Sequence, residues 1–550
     1  MPSQEALTCK PPGPQGILWG NILSINSRNK GLLHRWDKPL FLESNLVIDS
    51  GGKQTFEEFG TFQAKTFGEF GTFQTKTFGE FGTFQTKTFG ESGFFIYLCT
   101  QNQTVMANIV FKRKIYDKML AWKQERQGKS ALLIKGARRI GKSTIVRTFA
   151  EREYSSYILV DFSKASKVVT GLFDDLMNLD FIFLRLQSIY QVVLERRKSV
   201  IIFDEVQLCP KARQAIKHLV ADGRYDYIET GSLISIKKNI ENIIIPSEET
   251  RLEMFPMDYE EFCWALGDTA TYPLLKQFYE ARISLEAAHR DAMRRLRLYM
   301  LVGGMPQAIN EYLETNNLSK TDAVKREIIE LYLDDFRKID ASGRAAKLYA
   351  NIPAQLNNNA SRYQVASVLD DSERKNVMGI LEEMKDSMVV NFAYHANDPS
   401  AGFALHSDGN FYKMFTSDTG LFITLAFWDK DHTENIIYDK LLSDKLSSDL
   451  GYVYENLVAQ MLTASGNKLY YYTFPHATSH KNYEIDFLLS RGKKVCPIEV
   501  KSSGYNSHKS LDEFCTKYSE RIDKRYLIYT KDLKKDGQTL LLPVYMTPFL

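Results

Sequence analysis

Nine residues, Gly136 to Thr144, spell Gly-Ala-Arg-Arg-Ile-Gly-Lys-Ser-Thr and fit the spacing G-x-x-x-x-G-K-[ST]. Gly136 and Gly141 let the chain turn tightly, so the backbone N–H groups of Ala137, Arg138, Arg139 and Ile140 can face a phosphate. Lys142 adds a positive charge within reach of the β- and γ-phosphates of a nucleotide. The Ser143 hydroxyl, with Thr144 beside it, suits Mg²⁺. A second group follows in Ser199 to Pro210, SVIIFDEVQLCP, where Val200 to Phe203 lead into Asp204 and Glu205. Asp204 can bind Mg²⁺ directly or through water, and Glu205 can take a proton from an attacking water. On its own such a pair also fits a buried strand with a solvated acidic end. A third group is split between Asp486 and Glu499-Val500-Lys501. Period-2 alternation puts Glu499 and Lys501 on one face of a strand, and Asp486 can share that face from the neighbouring strand. Carboxylate oxygens there would suit Mg²⁺ or Mn²⁺, although a hairpin with charges on its wet face has the same pattern.

Positioning these groups requires particular elements. Ala131 to Ile134 is an apolar run long enough for a buried strand, and Ile145, Val146 and Phe149 have helical spacing. Strand, loop and helix is the setting that gives the Gly136–Thr144 pattern its meaning. YDYIETGSLISI, residues 225–236, reads as a further strand ending near Thr230 and Ser232. Residues 316–400 are helical in pattern; Gln364 to Leu369 and Arg374 to Lys385 read as two helices around a turn at Asp370-Asp371-Ser372, with a β-wing from Val389. Arg374 and Lys375 are accompanied by Glu382, Glu383 and Asp386, a weakly basic surface that favours protein packing over groove reading. At the C-terminus, residues 451–465 form an amphipathic helix holding Glu455. Strands follow at 468–473, 484–489 and 495–500, then a helix at 510–520 and a strand at 525–529. Pro497 suggests that its strand lies at a sheet edge or bends.

The chain has 550 residues, 44% hydrophobic and 25% charged, with a net charge of +3 from 70 basic and 67 acidic side chains. A multidomain soluble protein fits these values, and the near balance of charge neither demands nor excludes nucleic acid. Six cysteines lack metal-ligand spacing, which suits reduced thiols in a cytoplasmic protein. Neither a signal peptide nor a membrane-length apolar run is expected. Residues 55–92 repeat an eleven-residue unit, TFGEFGTFQTK, shorter than solenoid units. Residues 1–105 are expected to be a disordered or non-native extension, with the natural start at Met106.

The combination resembles prokaryotic AAA+-type, signal-transduction-like P-loop ATPases with a C-terminal restriction-endonuclease-like domain. The resemblance rests on LLIKGARRIGKST, IIFDEVQ, the TGS strand, RLEMFPMDYEEF at 251–262, YMLVGGMPQAINEYL at 299–313 and KMFTSDTGL at 413–421. It covers roughly residues 106–550. It implies an α/β fold with an AAA+-like P-loop NTPase core at 106–265, a helical lid at 266–345, a winged-helix-like segment at 346–400 and a restriction-endonuclease-like α/β domain at 401–550. It further implies that Thr230 and Ser232 sense the γ-phosphate and that Pro306, in Gly304-Met305-Pro306, closes the lid on the nucleotide. Arg251 would contact the γ-phosphate in cis or from a neighbour, the latter requiring a homo-oligomer. In the C-terminal domain it makes Glu455 the helix acid, Asp486 and Glu499 metal ligands with the Val500 carbonyl, and Lys501 the group that orients water. The expected function is an ATPase using ATP and Mg²⁺, coupled to a DNA-binding, nuclease-like domain. The alternative is an ATP-dependent switch or scaffold that binds DNA or protein without cutting.

Overall fold

The structure is a computed structural model and describes residues 46–49, 74–77, 83–89, 94–98, 110–231, 247–358, 360–399, 402–403, 407–428, 451–476, 482–502 and 508–550. The chain divides into two units, Met1–Ile109 and Val110–Leu550. In the first, β1 (Leu46–Asp49), β2 (Gln74–Thr77), β3 (Thr83–Phe89) and β4 (Phe94–Leu98) make an antiparallel sheet in the order β1-β4-β3-β2. Two of these strands, β2 and β3, come from the eleven-residue repeat.

The second unit begins with a five-stranded parallel sheet. Its strands are β5 (Ala131–Lys135), β6 (Ser156–Asp161), β7 (Ser199–Asp204), β8 (Asp226–Gly231) and β9 (Glu249–Glu253), in the order β6-β7-β8-β5-β9. Apolar runs make these strands because both faces are covered. Leu132, Ile134, Ile202 and Ile228 enter one core, while Ala131, Ile201, Phe203 and Tyr227 enter the other. The alternation within each strand is the two-residue period of the pleat. Helix α1 (Ile115–Arg126) precedes the sheet; α2 (Lys142–Glu153) follows β5, and α3 (Pro210–Asp222) follows β7. All five strands run the same way, so their carboxyl ends share one edge. The order also reverses around β5, where open α/β sheets place ligands.

Helices α4 (Tyr259–Ala265), α5 (His289–Val302), α6 (Pro306–Thr315) and α7 (Leu318–Ile339) come next. After α8 (Val377–Asp386) the chain enters a mixed eight-stranded sheet. Its strands are β10 (Val390–Ala396), β11 (Ser407–Thr416), β12 (Leu469–Pro475), β13 (Asn482–Arg491), β14 (Lys494–Val500), β15 (Arg525–Tyr529), β16 (Lys534–Asp536) and β17 (Thr539–Pro543). Their order is β11-β10-β12-β13-β14-β15-β17-β16. Helices α9 (Thr419–Ala426), α10 (Gly451–Ala464) and α11 (Lys509–Lys517) pack on it. One apolar core runs without a break from Ile134 of β5 through Leu301, Phe422 and Leu457 to Phe487 and Ile498. Among the described residues no helix is long and apolar enough to cross a membrane, and Cys209, Cys263, Cys496 and Cys515 are buried free thiols.

Three expectations differ from what is observed. The segment read as a β-wing forms a strand, but β10 is internal to the eight-stranded sheet: it pairs with β11 on one side and with β12 on the other. The preceding helix starts at Val377 rather than Arg374, because residues 371–376 are in turns. Consequently the expected boundary at residue 400 falls between two paired strands. Pro497 also sits in an internal strand, opposite Leu488 of β13; the parallel pairing to β15 starts one residue later, at Ile498. The proline's missing N–H is thereby accommodated without an edge.

The turn between α5 and α6 is tied to the second sheet by one buried carboxylate. Asp418 caps α9, accepting from Leu421 N–H at 2.9 Å, and its other oxygen accepts from Gly304 N–H at 2.6 Å. Gly303 and Gly304 admit this approach because they lack a Cβ. A Cβ on Gly304 would lie 2.1 Å from the Met257 carbonyl oxygen, and one on Gly303 2.5 Å from Asp418 Oδ1. Asn456 and Gln460 of α10 complete the joint. Asn456 Oδ1 accepts from Thr416 N–H at 2.8 Å, Gln460 Oε1 accepts from Thr419 N–H at 2.8 Å, and Gln460 Nε2 donates to Tyr299 OH at 2.8 Å. Gly304→Ala must push backbone against backbone. It is expected to lower stability by about 1–3 kcal/mol, the usual cost of overpacking, read as a lower urea midpoint with an unchanged slope.

Candidate functional site

The edge formed by the carboxyl ends of the parallel strands collects the first group of predicted residues. Gly141 has φ 92°, a left-handed conformation that glycine adopts freely, and it opens α2 at Lys142. The Lys142 ammonium is buried and donates to the Gly136 and Ala137 carbonyls at 3.0 and 2.8 Å. Burial lowers its pKa to about 8, against the opposing pull of Glu205 and Asp204. Ser143 Oγ donates to Asp204 Oδ1 at 2.9 Å. Strand β8 lies between β5 and β7, so Thr230 stands between the loop and the Asp204 strand. Its hydroxyl donates to Asp204 Oδ1 and accepts from Glu205 N–H at 3.3 Å. Glu205 leaves β7 with φ 53°, and its carboxylate accepts from Gln207 Nε2. A serine hydroxyl 2.9 Å from a carboxylate is a hard-oxygen pair that fits Mg²⁺.

The loop itself is held from outside. Arg113 donates to the Ile140 carbonyl at 2.8 Å and the Phe255 carbonyl at 2.7 Å, and it pairs with Glu261 at 3.1 Å, both side chains being 6% exposed. Arg138, exposed, pairs with Asp335 of α7 at 3.1 Å, and Tyr332 OH of α7 donates to the Arg138 carbonyl at 2.7 Å. Ala137 and Ile140 are buried; Arg139 and Thr144 are exposed. Pro306 begins α6 against the loop, its Cγ 3.7 Å from where a Gly141 Cβ would stand. Arg251 is placed differently. It lies on β9 in register with Leu133 of β5, and its guanidinium pairs with Glu249 at 2.6 Å. Ser232 falls outside the described residues.

The second group meets at the start of α10 and the paired strands β13 and β14. Glu455, Glu484 and Asp486 each bring a carboxylate oxygen within 4.8 Å of the others. Asp486 Oδ2 accepts from Val500 N–H at 2.7 Å, which locks it to β14. The Lys501 ammonium pairs with Glu499 Oε1 at 2.6 Å. Glu499 is 7% exposed, and its second oxygen, Oε2, is buried without a hydrogen-bond partner. A buried carboxylate oxygen left unpaired beside another carboxylate fits a hard divalent ion. Two participants, Glu484 and Lys413, had no role in the sequence reading. Lys413 of β11, 5% exposed, reaches Glu455 Oε1 at 2.9 Å and Glu484 Oε1 at 2.5 Å. Burial raises the pKa values of Glu455 and Glu499, and pushes Glu484 up to about 7 despite the Lys413 charge. Burial works against the charged form of Lys413 and Lys501, but the surrounding carboxylates outweigh it and raise both. Glu484 was legible, since it lies two residues from Asp486 on the same strand face; no spacing pointed to Lys413 or Arg113.

Comparison with known proteins bears most directly on the first group. Residues 128–263 match the family described as AAA domain. Residues 293–432 and 450–546 match two domains of unknown function, DUF8612 and DUF4143. No curated protein matches the chain. Solved structures similar to it include the RuvB Holliday junction branch migration motor of Thermotoga maritima, at 14% identity over 47% of this chain and 81% of that one, with a TM-score of 0.24. Another is C. elegans PCH-2, at 10% identity over 42% and 73%, with a TM-score of 0.23. A third is Cdc6p from Pyrobaculum aerophilum, at 12% identity over 63% and 99%, with a TM-score of 0.22. The stretch that is similar to an AAA domain holds Gly136–Thr144, Asp204, Glu205 and Thr230.

Arg113 is a buried ion held by three acceptors, and one of them belongs to the phosphate loop. Arg113→Met leaves Glu261 short of its cation and the Ile140 carbonyl without its donor. It is expected to cost about 3 kcal/mol of stability and to weaken binding of a fluorescent ATP analogue; equal urea midpoints for the two proteins would contradict this.

Proposed function

We propose that the protein hydrolyses the β–γ bond of ATP and that nucleotide state governs a nucleic-acid-processing centre on the eight-stranded sheet. The observation that carries the ATPase half is the meeting of Lys142, Ser143, Asp204 and Thr230 at one strand edge. With nucleotide bound, Lys142 would exchange its two loop carbonyls for β- and γ-phosphate oxygens, where its charge offsets the negative charge of the transition state. Ser143 and Asp204 would hold Mg²⁺, which supplies charge neutralisation across the β- and γ-phosphates. Glu205 would accept the proton of the water attacking the γ-phosphorus, with Gln207 fixing its carboxylate. Thr230 would hold Asp204 in place and, through the Glu205 N–H, the backbone that aims the base. Pro306 and α6 would report the nucleotide to the lid.

The nuclease half is supported by the convergence of Glu455, Asp486, Glu499 and Lys501. Asp486 and Glu499 would hold Mg²⁺ or Mn²⁺, which supplies an acidic water and offsets the charge of a phosphodiester. Lys501 would hold that water and neutralise the oxyanion as the P–O bond breaks. Glu455, steadied by Lys413, would keep the field of the centre negative toward a cation. DNA is the proposed substrate. A second reading, a switch that binds DNA or protein without cutting, is favoured by Lys413, because its ammonium already neutralises part of the acidic cluster.

Two sets of measurements check these roles. Glu205→Gln is expected to lower kcat for phosphate release by about a hundredfold or more while ATP still binds, and Lys142→Ala is expected to lose ATP binding. Release equal to wild type from both variants would remove the assigned roles. For the C-terminal centre, end-labelled DNA with Mn²⁺ should be cut by wild type and not by Asp486→Ala or Lys501→Ala. Cleavage by both variants at the wild-type rate overturns the nuclease assignment, while no cleavage by any of the three leaves the non-cutting switch.

A further inference from the structure

We propose that Lys413 serves as a resident cation of the acidic centre, taking the place of a second metal ion and limiting the centre to one divalent cation. The inference rests on the metal-centre reading given above and adds which oxygens the ion takes. Glu455, Glu484 and Asp486 bring carboxylate oxygens within 4.8 Å of one another at the junction of α10 and β13; Lys413 pairs with the first two, and Lys501 pairs with Glu499 on β14.

The geometry divides the cluster into two halves. Lys413 approaches from β11, 5% exposed, and bridges Glu455 and Glu484 at 2.9 and 2.5 Å. These are short, charge-assisted bonds made inside the protein, where screening is weak and an unpaired carboxylate would be costly. On the other side, Asp486 is aimed by the Val500 N–H, and Glu499 Oε2 is buried without a hydrogen-bond partner while Oε1 is engaged by Lys501. On the metal-centre reading the ion is held by Asp486 and by Glu499 through its unpartnered Oε2, while one oxygen each of Glu455 and Glu484 is already taken by Lys413. Glu455 and Glu484 are held by a lysine on a paired strand: Lys413 pairs in register with Ala393 of β10, and three residues later Thr416 bonds to Asn456 beside Glu455. Two-metal centres place their ions about 3.5–4 Å apart; a fixed ammonium in place of one of them makes a one-ion centre.

The test counts Mn²⁺ on the nucleotide-free full chain by electron paramagnetic resonance, with Asp486→Ala as the baseline. Wild type should bind about one ion more than the baseline. Lys413→Gln, which frees Glu455 and Glu484, should bind about two more, with spectral broadening from the neighbouring ions. Adding Glu484→Gln to Lys413→Gln removes one carboxylate and should return the number to about one. A count of one for Lys413→Gln, or of two for wild type, overturns the proposal while the metal centre stands; no Mn²⁺ above baseline for wild type overturns the metal centre and this proposal with it. Lysine acylation read by mass spectrometry on wild type gives a measurement that does not depend on a variant folding. Lys413 should stay protected with and without Mn²⁺, whereas labelling that rises with Mn²⁺ would show the ion displacing the lysine and would overturn the proposal.

Discussion

Everything downstream of the phosphate loop depends on the bond between the Asp418 carboxylate and the Gly304 N–H. Asp418 is fully buried, and burial raises its pKa even though backbone N–H groups from two segments stabilise its charge. The cost of keeping such a group inside is recovered only if the surrounding backbone stays where it is. Lys325 adds a second ion to the same region: buried, with its pKa lowered by burial, it donates to the Leu301 and Gly420 carbonyls at 2.7 and 3.3 Å. The residues around Gly303-Gly304, at the end of α5, and Asp418-Thr419-Gly420, at the start of α9, are thus one welded piece. Pro306 on one side faces Gly141 of the loop; Thr416 and Thr419 on the other side hold Asn456 and Gln460 of the helix that carries Glu455. The distance from nucleotide loop to acidic centre is spanned by buried packing and hydrogen bonds rather than by a linker.

That arrangement explains which parts were legible in the sequence. The phosphate loop is contiguous, so its spacing alone identifies Gly136, Gly141, Lys142 and Ser143. Asp204 and Glu205 were readable because a buried parallel strand is a continuous apolar run whose end stands out. Thr230 was readable as the end of a similar run, though its position between Asp204 and the loop follows from strand order, which no local pattern encodes. In the C-terminal sheet the hairpin gave Asp486, Glu499 and Lys501 through the two-residue period, and the helix at 451–464 gave Glu455. The roles of Lys413 and Arg113 were not legible: Lys413 opens the motif KMFTSDTGL and Arg113 is one basic residue in an ordinary run, but each matters because a distant segment folds against it.

The misreading of residues 389–400 has the same origin. Periodicity shows that a strand forms, but not which neighbours it will have. β10 has the alternation of a wing strand, yet its parallel pairing to β12 is made across more than seventy residues of chain. Pro497 shows the converse. A proline is normally a sign of an edge, but here the parallel neighbour begins its pairing just beyond the ring, so a central strand tolerates it.

The bond from the Val500 N–H to Asp486 has one more implication. It ties a side chain of the acidic centre to the backbone of the next strand, so the spacing of the charges is inherited from the pitch of the sheet. Side chains facing that centre can be exchanged one at a time without moving it. The length of the connection between Arg491 and Lys494 cannot, because one inserted residue would slide β14 by half a pleat, send Glu499 and Lys501 to the opposite face and present Ile498 and Val500 in their stead. Chemistry at this site is thus written partly in a turn that contributes no functional group to it.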